Sequence, residues 1–191
     1  MATRILRTTV LLALFAAATP VLAQDRSDAR IADDVGRAID THPQLTIFDD
    51  VAARVDEGVV TLNGRVTADY KKQDVGRIVA RINGVRQARN HLSVLPSTPF
   101  DEELRYRAAR AIYSNPAFWS YASMPRPPIH IIVEHGRVTL TGVVASDVER
   151  ALARSLATGI GELSVTSELR TDRERFVTAG HTSGARIPRQ R

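Results

Sequence analysis

Val55-Asp56-Glu57-Gly58-Val59-Val60-Thr61-Leu62-Asn63-Gly64 decides the fold, because it returns as Val133-Glu134-His135-Gly136-Arg137-Val138-Thr139-Leu140-Thr141-Gly142. The offset is 78, and it carries on through Val66 with Val144 and Asp69 with Asp147. Agreement at that many positions, both glycines included, marks an internal repeat. Within each copy the apolar residues alternate on either side of a turn. They are Val51, Ala53 and Val55, then Val60 and Leu62; in the second copy Ile129, Ile131 and Val133, then Val138 and Leu140. A period of two is that of a strand with one buried face. Asp56-Glu57-Gly58 reads as the turn of a hairpin, with Gly58, and Gly136 after it, free to take positive φ.

Upstream, Ile31, Val35, Ala38 and Ile39 match Leu104, Ala108, Ala111 and Ile112 at offset 73. Their i, i+4, i+7, i+8 spacing is one stripe of an amphipathic helix. Thr98-Pro99 with Asp101 resembles a capping box with proline at the first helical position. His42-Pro43 and Asn115-Pro116 should end the two helices, because proline disfavours helix in the residue before it. Downstream, Val75, Val79, Gly84 and Leu92 match Leu152, Leu156, Gly161 and Leu169 at offset 77. These predict a second helix and a short last strand, around Ala88, Asn90 and Leu92 in one copy and Val165, Ser167 and Leu169 in the other. The fold class is α/β (α+β): two tandem αββαβ modules, each a small three-stranded mixed sheet packed on two helices. The modules span residues 28–96 and 101–172. Strand two, helix and strand three should form a right-handed crossover, and the strand order stays open. Pro96-Ser97-Thr98-Pro99 is a short, stiff connection that favours packing of the modules on each other.

The 191 residues contain no cysteine, which excludes a disulfide framework and a thiolate metal site. Residues 1–23 read as a signal peptide: Arg4 and Arg7, a short apolar run from Val10 to Ala18, then Val21-Leu22-Ala23. Cleavage after Ala23 would begin the mature chain at Gln24, and without a cysteine there can be no lipid anchor at that point. The formal charge of +5 is unevenly spread. Residues 173–191 hold five arginines against Glu174 alone, so this basic tail, expected to be disordered, carries a net +4. The body between leader and tail is near −1, which gives no reason to expect a nucleic-acid partner.

The two hairpins with Gly-x-Val-x-Leu-x-Gly, here Gly58 to Gly64 and Gly136 to Gly142, resemble the BON family. A later family glycine looks like Gly84 in Ile82-Asn83-Gly84-Val85 and Gly161 in Ile160-Gly161-Glu162-Leu163. The chain is similar to exported dual-BON envelope proteins, including osmotically induced periplasmic ones. The resemblance implies a periplasmic protein that attaches to phospholipid and helps maintain the envelope under stress, without catalytic residues or a cofactor. Glu162, where the first copy has Val85, departs from that pattern.

The residues suggest no enzyme. His42, His91, His130, His135 and His181 show no ligand spacing and read as surface or turn histidines. Asp33-Asp34, Asp49-Asp50 and Asp56-Glu57 are neighbours that do not face one another in a helix or strand, so they read as solvated. Lys71, Lys72, Arg77 and Arg81 alternate with Asp69 and Asp74, again a solvated helix face. The motif glycines Gly58, Gly64, Gly84, Gly136, Gly142 and Gly161 are expected to be structural, at turns and close approaches.

The change of offset from 73 to 78 places five extra residues in the second copy, between Pro116 and Val133. That stretch holds Phe118, Trp119, Tyr121, Met124 and Arg126, with the chain's sole tryptophan. Aromatic rings suit a membrane interface, and an arginine can meet phosphate beside them. The same rings could instead cover the sheet or the other module. Two functions are open. One is attachment to an anionic phospholipid surface. The other is a protein-interaction or chaperone-like role among envelope proteins, through an exposed strand edge.

Overall fold

The computed structural model describes residues 27–172. The stretch read as a signal peptide, the cleavage expected before Gln24 and the basic tail lie outside the described residues. The first module runs α1 (Asp28–Asp40), β1 (Asp50–Asp56), β2 (Val59–Val66), α2 (Asp69–Ala80), β3 (Gln87–Val94). The second runs α3 (Pro99–Tyr113), α4 (Trp119–Ala122), β4 (Ile129–Glu134), β5 (Arg137–Val144), α5 (Asp147–Leu156), β6 (Ser164–Ser167), β7 (Arg170–Thr171). Each sheet is mixed, with the hairpin antiparallel and the last strand parallel to the middle one. The strand order left open by the sequence is sequential, β1-β2-β3 and β4-β5-β6. In the second copy the last strand is interrupted at Glu168-Leu169, and β7 resumes beside β5 in the same register.

The helices form where the apolar stripe requires them and bury that stripe against one sheet face. Ile31, Val35 and Ile39 of α1 meet Val60, Leu62 and Leu92. Leu104, Ala108 and Ile112 of α3 meet Ile131, Val138 and Leu140. Thr98 accepts a hydrogen bond from the Asp101 amide, as a cap should. The reciprocal arm of a capping box is not made, because the Asp101 carboxylate has another task. It accepts from the amides of His135 and Gly136 at 3.1 and 2.7 Å. Asp28, at offset 73, does the same for Glu57 and Gly58 at 2.7 and 2.8 Å.

Both hairpin turns need this support. Glu57-Gly58 and His135-Gly136 have positive φ at both residues, the geometry that matches the twist of a two-residue hairpin. For the non-glycine residue that conformation is costly. An acidic residue at the start of each first helix ties helix to turn and offsets the cost. From the other side, the amides of Arg86 and Leu163 donate to the carbonyls of Gly58 and Gly136, both at 2.8 Å.

The modules are packed together through a strap that precedes β1. Leu45 belongs to the first core, but Ile47 and Phe48 pack on the second. Phe48 meets Tyr106 edge-on at 5.4 Å between ring centroids. The Ile47 carbonyl accepts from the Ile131 amide at 2.7 Å, on the outer side of β4. On the same side the Ile129 carbonyl accepts from the Tyr113 hydroxyl, and the Val133 carbonyl from Arg105. Arg105 also holds the connection between modules, donating to the Pro96 carbonyl at 3.1 Å. The outer edge of β4 is therefore occupied along its length.

Candidate functional site

The stretch that carries the five extra residues of the second copy opens with a short 3-10 turn, Pro116–Phe118, followed by the single turn α4. Asn115 starts the segment by accepting from the Ala117 amide. The five side chains expected to act together are divided by the fold. Phe118 is fully buried in the second core, so a membrane contact by that ring is ruled out by packing. Tyr121 is half-buried beside Phe118 and donates to Glu149 at 2.7 Å while accepting from the Ala145 amide. Burial, then the Glu149 bond, pushes its phenol above the ordinary value. Arg126 donates to the carbonyls of Ile39 and Asp40 at 2.6 and 3.0 Å, at the C-terminal end of α1. That end collects carbonyl dipoles, where a cation is favourable, so Arg126 clasps one module to the other.

Trp119 and Met124 are left facing outward. Trp119 is 60% exposed, yet its indole N–H donates to the Ser114 carbonyl at 3.2 Å. A large ring is thus held in place while its surface stays in water. Met124 is 44% exposed. Both are carried on a segment anchored by the buried Phe118.

Three readings of isolated side chains change in the structure. Asp49 is 1% exposed rather than solvated, and it accepts five hydrogen bonds: from the amide and hydroxyl of Thr46, the amide and hydroxyl of Thr67, and Lys71. Burial alone would raise its carboxyl pKa. The bonds from Lys71, Thr67 and Thr46 outweigh burial and hold it below the ordinary value. Lys71 is correspondingly buried, 2.7 Å from Asp49, rather than part of a solvated helix face. The charge alternation along α2 hid it, because the partner lies on a distant loop. Two of the histidines are not surface residues either: His42 is buried, its Nδ1 accepting from the Gln44 amide, and burial lowers the pKa of His130, against Asp50 and the Asp49 carbonyl, which raise it. Glu162, the departure from the family pattern, folds back to accept from the amides of Gly159 and Ile160, both at 2.8 Å.

The motif glycines occupy turns and close approaches. Gly84 and Gly161 lie in the loops after α2 and α5 with positive φ. Gly64 and Gly142 face the chain that enters the neighbouring strand. An added Cβ would lie 2.1 Å from the Asp50 carbonyl oxygen at Gly64, and 1.9 Å from that of Pro128 at Gly142. Among the described residues no three His, Asp or Glu side chains are grouped as metal ligands, and no helix is long and apolar enough to cross a membrane.

Comparison with known structures finds the chain similar to CdsD, a structural protein of the type III secretion system of Chlamydia trachomatis. Identity is 13% over 82% of this chain and all of that one, with a TM-score of 0.28. Its C-terminal domain matches at 12% identity over 75% of this chain and 98% of that one, again at 0.28. Likeness at that level supports no argument about this protein. No curated protein matches. The BON domain model matches residues 27–96 and again 119–172, more than half of the chain. The second match begins after α3, where the extra residues shift the spacing between first helix and hairpin. With two such matches on two modules of one topology, this chain belongs to the BON domain family.

Proposed function

We propose that this protein is a non-enzymatic periplasmic envelope protein that binds anionic phospholipid surfaces and helps maintain the envelope under stress. BON domains are associated with phospholipid-binding proteins of the envelope, which supports the class. The observation that carries the reading is Trp119, exposed on α4 while its own N–H is fixed to Ser114. More than half of this large amphipathic side chain is left in water rather than buried in the fold. At a bilayer interface the same ring finds both apolar and polar surroundings. Met124 extends the contact, and Phe118 anchors it from within. The alternative, a protein-interaction or chaperone-like module using a strand edge, cannot use the outer edge of β4, which is occupied.

The test is flotation of the protein with phosphatidylglycerol vesicles, read beside the Trp119 emission. The free protein should emit as a solvent-exposed indole and shift to the blue on adding vesicles. Trp119→Ala should weaken flotation several-fold and leave Tm nearly unchanged. Blue emission in the free protein, with unfolding of Trp119→Ala, would make the ring structural and remove the site.

A further inference from the structure

The helices cover one face of the first sheet. β1, β2 and β3 turn Val51, Leu62 and Leu92 toward that core, so their alternate residues make the outer face. On one rung of the outer face the ladders set Arg54, Thr61 and Arg89 side by side. The next rung holds Ala52, Asn63 and His91, and a third holds Asp50, Arg65 and Ser93. Arg54, Asn63, Arg89, His91 and Ser93 are exposed, while Thr61 and Arg65 are half-buried. Among the described residues the guanidinium groups of Arg54, Arg65 and Arg89 have no hydrogen-bond or ion-pair partner. The carboxylates of this face stand at the two ends of β1, Asp56 beside the hairpin turn and Asp50 in a cleft lined also by Arg126 and His130.

The repeat separates what the fold requires from what this face adds. At the matching positions of the second module Ile132 stands for Arg54, Val143 for Arg65 and Thr166 for Arg89, while Thr139 keeps the place of Thr61. There the outer face is closed, with Ile132 only 1% exposed. A module of this topology therefore forms without the three arginines, and the module that carries them leaves them unpaired. Cations gathered without counter-charges repel one another, and an anion laid across them relieves that repulsion.

We propose that the outer face of the first sheet binds an acidic polysaccharide through Arg54, Arg89 and Arg65. Neighbouring strands place the Arg54 and Arg89 backbones about 10 Å apart. Both side chains are long enough to fork onto carboxylates of one polymer lying over Thr61. Thr61, Asn63 and Ser93 offer hydroxyl and amide groups to the sugar hydroxyls between those charges. The three rungs hold no tryptophan, tyrosine or large aliphatic side chain. A bilayer takes up such residues at its interface, and a protein partner uses them as anchors at the centre of the contact. A hydrated polyanion needs neither. Asp50 and Asp56 repel the polymer at the ends of β1 and hold it to the middle of the sheet.

The face shares no residue with the segment around Trp119, so each reading can fail alone. The full chain is titrated with polygalacturonate, and in separate arms with polyglutamate and with phosphatidylglycerol vesicles, following backbone amides by NMR. Polygalacturonate should perturb Arg54, Thr61 and Arg89. The double variant Arg54→Ser/Arg89→Ser should bind it about ten-fold more weakly at unchanged Tm. The arginines of residues 173–191 are the same in both chains, so the difference reports the face alone. Added sodium chloride should narrow that difference. Equal affinity of wild type and double variant would overturn the proposal. Polyglutamate bound as tightly, with the same loss in the variant, would make the face an acidic-peptide site and overturn it as well. Loss of vesicle flotation in the double variant would assign the arginines to lipid, with the same consequence. A lower Tm for the variant, with amide shifts confined to other elements, would leave the arginines a structural role only.

Discussion

At the scale of single residues, Gly142 is held by geometry that no side chain can share. Its φ is +109°, and an added Cβ would lie 1.9 Å from a backbone oxygen that cannot swing aside. Gly142→Val should therefore lower Tm, with a loss on the order of 3 kcal/mol from strain and displaced backbone. Calorimetry checks this, and vesicle flotation of the fraction that remains folded should be unchanged. Asp49 supports a prediction of a different kind. Asp49→Asn leaves the Lys71 ammonium buried without its counter-charge, a situation that typically costs about 3–5 kcal/mol. Both Asp49 and Asp101 have carboxyls held below their ordinary value of 3.8. For Asp101, burial opposes the shift and the bonds from Gly136, Thr98 and His135 with the charge of Arg105 produce it. The folded chain thus binds those protons less readily than the unfolded chain. Their contribution is whole above the unfolded pKa and is lost as pH falls below about 4 toward the folded values. Acid denaturation curves of wild type and Asp49→Asn should converge in that range.

At the scale of elements, the helices and hairpins were legible because their evidence is periodic. Each of α1, α3, β2, β4 and β5 carries its burial pattern in its own residues, whereas β1 departs from it, with Val51 and Val55 only half-buried and Ala53 exposed at the edge of its sheet. The strap Thr46 to Asp49 was not legible. Ile47 and Phe48 lie in a loop with no period, and their partners are 60 to 90 residues further on. The candidate site was legible only in part. A cluster of aromatic residues announces apolar contact, yet adjacent residues in a tight turn point different ways, so Phe118 goes inward and Trp119 outward. The burial of His130 is visible only when β4 is set beside the strap of the first module, whose Asp49 and Asp50 lie near the ring. The strap itself is testable. Phe48→Ala should remove about 2 kcal/mol from the contact between modules. Differential scanning calorimetry should then show one transition for the wild type and two for Phe48→Ala.

At the scale of the whole molecule, the interface is the part that responds to mild acid. His130 sits at the contact between modules with Asp50, Asp49 and Arg126 as its charged neighbours, and burial holds its pKa below the ordinary 6.5. A base with a depressed folded pKa supports the fold above the unfolded value and withdraws that support as pH falls below about 6.5. Unfolding free energy should therefore decline between pH 7 and pH 5, before any carboxylate titrates. His130→Gln should flatten the slope in urea titrations across that range. An unchanged slope would place the titrating group elsewhere.

The strap also means that the two copies are not interchangeable beads. The copy synthesised first carries the strap that meets Ile131 at the middle of the outer edge of β4, which the second copy's own Tyr113 and Arg105 cover only at Ile129 and Val133. A chain in which the order of the copies is exchanged would contain every core residue and every hairpin, yet its leading copy would emerge with that strand open at Ile131 until the strap follows. Such an edge pairs with whatever strand is nearest, so the exchanged chain should form mixed oligomers during refolding where the natural order yields one species. Order along the chain is thus a safeguard against self-association.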